Sequence, residues 1–413
     1  MEKDYELFVD CKTYKTDNTG IFDYTNSEIS EVNHTTKEDD IYYCRSNETD
    51  NISTCYSQIE SKNESKILFR ARKNKNKQYE LINVIKKKMK KNENNINNLD
   101  NKMWYVLNSE GKGKDKYENK NKTYYLKEND ILKLGRRKYE IIKVNIPIIS
   151  DTYYQTNNVS EKNKKYGPVF DISLKPEQYC NKIIIKNDLD SSEDGYVPEN
   201  DCRICFGSQS TQENPKLKLC HCNTYVHYNC LKLFLKNNIK VYENLNGMVT
   251  SYNCHKFNCE VCEEPYPLKF TIKFNEESQP RNYYLIDGLE LPENTNYLIM
   301  ESLTYLKEKK NIKNIFVVKL SDRELTLGRS DKNDIIDGDI SISRYHAIMK
   351  FNPDNGELTL TNRSKYGALV LIKDNLKLIT DEKIYIQVGK SFINVIQKEK
   401  QEKKISNSDC ESN

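Results

Sequence analysis

The stretch Tyr345-His-Ala-Ile-Met-Lys-Phe351, the pair Asn355-Gly356 and then Glu357-Leu-Thr-Leu360 decide the fold. Apolar residues recur on both sides of an Asn-Gly pair, the pattern of two strands joined by a tight turn. Similar runs flank them: Tyr297-Leu-Ile-Met300, Ile315-Phe-Val-Val-Lys-Leu320, Glu324-Leu-Thr-Leu327, Ala368-Leu-Val-Leu-Ile372, Lys383-Ile-Tyr-Ile-Gln-Val388 and Ser391-Phe-Ile-Asn-Val-Ile396. Turn residues such as Asp337-Gly338 separate them. Many short strands at even spacing predict a β-sandwich over residues 283–397.

Upstream, residues 64–146 carry Trp104-Tyr-Val-Leu107, Tyr124-Tyr-Leu126, Asp130-Ile-Leu-Lys-Leu-Gly135 and Tyr139-Glu-Ile-Ile-Lys-Val144, which also read as strands. A weak repeat links the two regions. Ile131-Leu-Lys-Leu-Gly135 with Tyr139 resembles Tyr385-Ile-Gln-Val-Gly389 with Phe392: a strand, a glycine turn and a returning strand with an aromatic anchor. Residues 1–60 are rich in Asp, Asn, Thr and Ser without a sustained period, and are expected to be disordered or loosely attached. Residues 147–200 read as a linker, and 398–413 as a charged tail. The fold class expected is multidomain and mainly β, with a small metal-stabilised α+β module at 200–272.

Net charge is +4, from 65 basic and 61 acidic residues, so global charge names no partner. Charge is nevertheless segregated. Arg70 to Lys91 holds ten Lys/Arg and one acid, whereas Asp188 to Asp201 holds six acids and no base. The basic run has neither an aromatic platform nor a known fold beside it, so nucleic-acid binding is not expected. The N-terminus lacks the basic start and apolar core of a signal peptide, and no apolar run approaches the ~18 residues of a membrane span. The chain is expected to be soluble, in the cytoplasm or nucleus, with no membrane partner.

Eight of the 13 cysteines fall between 202 and 262. They form Cys202-x-x-Cys205, Cys220-x-Cys222, His227-x-x-Cys230 and Cys259-x-x-Cys262, with Cys254 outside the pairs. Two side chains from one tight turn can reach one ion, and eight such ligands make two closed tetrahedral zinc sites. Closed sites are structural, so no zinc hydrolysis is expected. Cys254, His255 and His221 are expected not to ligate.

The ligand order resembles the RING-CH zinc finger of ubiquitin ligases. The single-residue gap Cys220-His-Cys222 and the 28 residues after Cys230, opening on Leu231-Lys-Leu-Phe-Leu-Lys236, distinguish it from a PHD finger, which shares the ligand order. The resemblance implies a cross-brace: Cys202, Cys205, His227 and Cys230 hold one zinc, and Cys220, Cys222, Cys259 and Cys262 the other. It implies docking of a ubiquitin-conjugating enzyme carrying ubiquitin, through Ile204, Phe234 and Pro265. Such a ligase positions the thioester without a covalent intermediate, so no catalytic side chain is assigned. Two features depart from the family: four residues separate Cys222 from His227, and Glu263 stands where a basic residue is usual.

The C-terminal strands and their loops, Leu327-Gly-Arg329, Ser341-Ile-Ser-Arg-Tyr-His346 and Ser364-Lys-Tyr-Gly367, resemble a forkhead-associated (FHA) domain, which binds phosphothreonine peptides. A phosphate carries about −1.5 to −2 charges and three acceptor oxygens. The resemblance implies that Arg329, Ser343, Arg344 and Gly367 form the phosphopeptide site, with Gly328 and His346 structural. Tyr366 replaces the family's Asn. The N-terminal strands are expected to form a degenerate FHA-like sandwich, with no phosphate site at Gly135-Arg136. The function expected is a soluble RING-CH ubiquitin ligase that recruits a phosphothreonine substrate; the alternative is a non-enzymatic phosphopeptide adaptor with structural zinc.

Overall fold

A computed structural model describes residues 4–14, 28–56, 65–84, 96–107, 123–146, 201–220, 222, 224–255, 257–264, 266–272, 281–287, 289, 294–303, 312–364, 367–373 and 375–400. The linker predicted over 147–200 and the tail beyond Lys400 lie outside them. The protein is mainly β; the one α-helix among the described residues is Tyr228–Lys236.

Twelve strands form one sheet, in the order Ile239–Glu243, Val249–His255, Ile312–Lys319, Tyr297–Ser302, Arg137–Asn145, Ile131–Leu134, Ala368–Leu371, Met103–Leu107, Lys383–Val388, Ser391–Glu399, Tyr5–Tyr14 and Glu28–Thr36. From the third strand to the last, this order reads the same from either end. Outward from the central pair, each side has a hairpin, then the first and second strands of a lobe. Two five-stranded sheets face it. One runs Ile335–Ile336, Leu325–Gly328, Ala347–Phe351, Leu358–Asn362, Thr123–Tyr125; the other runs Ile52–Cys55, Asp40–Ser46, Ser65–Lys73, Tyr79–Ile82, Leu376–Lys377.

The chain therefore builds two sandwich lobes that exchange their closing strands. The C-terminal lobe is closed by residues 123–145, and the N-terminal lobe by residues 376–399. Tyr139 pairs with Ser302 and Val144 with Leu298, while Tyr5 pairs with Glu399 and Thr13 with Ser391. The repeated hairpin seen in the sequence is the closing hairpin of both lobes, each serving the other half of the chain.

Burial follows the period of two along a strand. Met103, Tyr105 and Leu107 enter the main core, while Trp104 and Val106 join a second cluster on the opposite face with Leu369 and Leu371. The central strands are thus buried on both faces. Trp104 satisfies its indole by donating to the Leu99 carbonyl at 2.9 Å.

Two expectations change. The described part of residues 1–60 is not loosely attached: Leu7, Val9, Cys11, Ile41 and Tyr43 are buried. Their period of two was masked by the Asp-, Asn-, Thr- and Ser-rich background and by Phe8, which interrupts the polar half of the alternation. The predicted blocks 64–146 and 283–397 are not separate sandwiches in space, because strand pairing crosses between them.

The cysteine module packs on the outer face of the large sheet. Leu231 and Leu235, one helical turn apart, share a cluster with Leu217, Phe270 and Tyr283, and with Tyr297, Ile299, Ile315 and Val317 from the sheet. Leu298, Met300, Phe316 and Val318 point to the other side, into the main core. The hairpin 239–255 also adds two strands to the edge, with Val249 opposite Val318 and His255 opposite Ile312. The module has a larger apolar core than its polar composition suggested.

Ending the chain at Ile372 should expose the lobe at the opposite end of the sequence. Hydrogen exchange should show lost protection in Tyr5–Tyr14 and Asp40–Ser46, with Tyr297–Ser302 and Ile312–Lys319 retained. Loss centred on 297–319 instead would refute the exchange.

Candidate functional sites

The four Cys/His pairs come together one with three and two with four. Cys202, Cys205, His227 and Cys230 form one group, and Cys220, Cys222, Cys259 and Cys262 the other; within each, the ligand atoms lie within 4.8 Å of one another. A tetrahedron with metal–sulfur bonds of about 2.3 Å has edges of about 3.8 Å. Cys222 and Cys259 Sγ are 3.9 Å apart, and Cys230 Sγ lies 3.9 Å from His227 Nδ1. The donor sets fit two metal ions. His227 Nε2 faces the Gln209 carbonyl at 2.5 Å, which fixes its N–H there and turns the Nδ1 lone pair to the site.

Two similar turns carry the Cys-x-x-Cys pairs. The Phe206 N–H donates to the Cys202 carbonyl at 2.8 Å, and the Glu263 N–H to the Cys259 carbonyl at 2.9 Å. Phe206 and Glu263 adopt φ of 56° and 59°, a left-handed conformation that costs a side-chain-bearing residue about 1–2 kcal/mol. Burial opposes ionisation of Cys202, yet the His227, Cys205 and Ile204 N–H groups hold its thiol below the ordinary range. Arg203 ties the two groups together, lying 3.9 Å from Cys259 Sγ and 3.3 Å from the Tyr266 hydroxyl.

Cys254 is buried in the strand Val249–His255, opposite Lys313, and neither it nor His255 belongs to a metal group. His221 and Pro265 lie outside the described residues. Ile204 is exposed at the first turn, and Phe234 is half-buried against the module's core. Sequence reasoning missed Phe206, Leu233 and Val261, all apolar and at least 68% exposed. For Phe206 and Val261 the signal available was an apolar residue within or beside a Cys-x-x-Cys pair; Leu233, on the helix, carried no such signal.

The second site lies at one end of the C-terminal lobe. Gly328 ends the strand Leu325–Gly328 where a Cβ would sit 2.3 Å from the Arg344 carbonyl oxygen, so only glycine lets the two loops touch. The Arg329 N–H donates to the Ser343 carbonyl at 3.0 Å, and the Ser330 N–H to that of Arg344 at 3.2 Å. The Asn333 side chain donates to both the Ser330 and Arg344 carbonyls. These bonds clamp the backbone and leave both guanidiniums exposed. Among the described residues neither Arg329 nor Arg344 has a carboxylate partner.

His346, buried, braces this corner. Its Nδ1 accepts from the Ser343 N–H at 3.0 Å and its Nε2 donates to the Gly367 carbonyl at 3.1 Å. Burial lowers its pKa to about 4. Ser343 Oγ lies 2.9 Å from Ser364 Oγ, whose backbone is held by Asn362. Gly367 takes φ of 78°, at the turn into Ala368–Leu371; Tyr366 lies outside the described residues.

Gly135-Arg136 belongs to the support of this corner. The Arg136 guanidinium pairs with Asp339 at 2.9 Å, and its N–H donates to Ser341 Oγ. Arg137 and the Tyr139 hydroxyl both bond Asp337. The exchanged hairpin thus holds the loop that delivers Ser343.

The family description of the FHA domain matches residues 325–392. The C-terminal lobe therefore carries FHA sequence, and the match runs past Ile372 into the strands exchanged to the other lobe. It leaves the cysteine module outside. No curated protein and no solved structure matches the chain. Among the described residues, no helix is long and apolar enough to cross a membrane.

Two outcomes are expected. Elemental analysis should find two metal ions per chain, and Cys222→Ser should retain one; metal-free protein would refute the sites. For His346, the unfolded chain takes up a proton near pH 6.5 that the folded residue refuses until about pH 4. Its contribution is present above 6.5 and lost as pH falls, by on the order of 3 kcal/mol. Urea melts should therefore show the stability gap between wild type and His346→Asn narrowing from pH 7 to 4.5, and a constant gap would contradict the assignment.

Proposed function

We propose that the protein is a RING-CH type ubiquitin ligase whose FHA domain selects phosphothreonine substrates. The observation that carries the substrate half is the arginine pair, Arg329 and Arg344, fixed through backbone bonds, facing solvent and without a carboxylate partner among the described residues. A phosphate accepts charge-assisted bonds from such a pair. Ser343 offers a hydroxyl beside them, and Gly367 lets the neighbouring turn approach. Neutral, buried His346 positions Ser343 and does not touch ligand.

In this reading two structural zinc ions hold the cysteine module: Cys202, Cys205, His227 and Cys230 bind one, and Cys220, Cys222, Cys259 and Cys262 the other. Zinc supplies folding free energy there and no Lewis-acid step. Ile204 and Val261, exposed on the two metal turns, with Phe234 on the helix, suit an apolar docking patch for a charged ubiquitin-conjugating enzyme. Pro265 is assigned to the same patch from the family resemblance alone. The ligase's part is to orient the thioester for attack by a substrate lysine.

The second reading is an adaptor that binds phosphopeptides without transferring ubiquitin. Glu263, at the left-handed position after Cys262, favours it, because a carboxylate replaces the basic group expected to brace ubiquitin.

The deciding assay is ubiquitin discharge from a panel of charged conjugating enzymes, alongside phosphothreonine peptide binding. Ile204→Ala should abolish discharge with zinc content unchanged, and Arg329→Ala should weaken peptide binding at least about tenfold, the value of one lost charged hydrogen bond. Peptide binding without discharge across the panel would leave the adaptor; loss of neither with these substitutions would refute both sites.

A further inference from the structure

The corner of the N-terminal lobe that matches the FHA corner is also crowded with positive charge. There the third and fifth strands of the lobe, Asp40–Ser46 and Ser65–Lys73, place Arg45 opposite Lys66 and Ser46 opposite Ser65. In the C-terminal lobe the equivalent pairing brings Arg329 against Ser343 and Arg344. None of the Leu-Gly-Arg or Ser-Arg-x-His strings marks the N-terminal corner in sequence, so only the strand register reveals it.

The exchanged hairpin completes this corner. Arg45 Nη1 donates to Ser391 Oγ at 2.9 Å, Lys66 donates to the Asn101 side chain, and Lys390 pairs with Asp50. Behind them Lys133 and Lys138, at 3.0 and 2.9 Å, share the single carboxylate of Asp100. Asp50 is 4.0 Å from Arg45 and already serves Lys390. Arg45, Lys66, Lys133 and Lys390 thus meet the carboxylates of Asp50 and Asp100 among the described residues, in a place where Arg45 and Lys138 are buried. Burial and the nearby Arg45 charge push the Lys66 ammonium down to about 8. Gly389 lines the same spot at φ of 57°, and a Cβ there would stand in ordinary contact with Arg45 Nη2, at 3.4 Å.

Crowded, partly desolvated like charges are unfavourable unless an anion joins them. We propose that this corner is a second anion site, built from Arg45, Lys66 and Lys390 and specific for a phosphate group. The site exists only with the strands exchanged, since Lys390 and Ser391 arrive from the far end of the chain. A phosphate would accept from the Lys66 ammonium and the Nη2 edge of Arg45, with Lys133 adding longer-range attraction. The phosphate belongs either to a free ion or to a phosphorylated side chain. The excess of positive charge stands apart from the reading of the C-terminal lobe, and the choice of phosphate as the anion rests on that reading.

The test is ³¹P NMR titration of the full chain with inorganic phosphate, in wild type and Arg329→Ala. Phosphate binding should persist in Arg329→Ala, and adding Lys66→Met should weaken it at least tenfold, with Lys66→Arg restoring most of it. Independently of any variant, the Lys66 ammonium, followed by NMR after reductive methylation, should titrate near 8 in phosphate-free buffer and at higher pH with phosphate. Displacement of phosphate from Arg329→Ala by a phosphothreonine peptide, but not its unphosphorylated form, would assign the site to a phosphoprotein; displacement by neither would assign it to a free ion. Disappearance of all phosphate binding in Arg329→Ala, or a Lys66 titration indifferent to phosphate, would overturn the proposal.

Discussion

Everything else in the molecule hangs on one ladder, the antiparallel pairing of Met103–Leu107 with Ala368–Leu371. These short strands are buried on both faces, so their peptide groups have no water to turn to and must bond each other. Trp104, Val106, Leu369 and Leu371 seal one face, and Met103, Tyr105, Ala368 and Val370 the other. On each side of the ladder lies a hairpin that belongs, by chain order, to the opposite lobe. Breaking the ladder would remove the common boundary against which both hairpins are aligned.

The same sheet joins chemistry to chemistry. The strand Ile312–Lys319 pairs on one edge with the hairpin of the cysteine module, and its chain continues into Leu325–Gly328, which Arg329 follows. Alternate residues of Tyr297–Ser302 and Ile312–Lys319 feed the module's core and the sandwich core. The two Cys/His groups are therefore anchored to the sheet through the module's core and its edge hairpin. The buried Lys313–Glu301 pair, with the Lys313 ammonium 5.5 Å over the Phe257 ring, sits at this seam.

Much of the candidate chemistry was legible in local sequence. The eight residues of the two Cys/His groups are separated by one or two residues within pairs, and a tight turn needs no information from elsewhere. The Leu-Gly-Arg and Ser-Arg-x-His strings were equally readable, because Gly328 and His346 do their work within one loop cluster. Strand existence was legible too, from the period of two. What sequence could not show was partnership. Ile131–Leu134 has the same pattern whether it lies beside Met103–Leu107 or Ala368–Leu371, and only the packed core selects the latter. The first strand was missed for a different reason: Phe8 interrupts the polar half of the alternation formed by Leu7, Val9 and Cys11 with Glu6, Asp10 and Lys12, and a polar segment follows it. The basic corner at Arg45 and Lys66 was invisible because its members are scattered from residue 45 to residue 390.

The exchange of closing strands also sets a timetable for biosynthesis. The N-terminal lobe has its first six strands by Ile82, yet its last two arrive with Lys383–Val388 and Ser391–Glu399. A ribosome adding about 5–20 residues per second needs on the order of 15–60 s to travel between them. Throughout that interval the edge of Tyr5–Tyr14 that will receive Ser391–Glu399 has no partner of its own. A nascent chain in that condition is a natural client for chaperones that shield open β-edges, and the C-terminal lobe, whose hairpin is already made, can finish first.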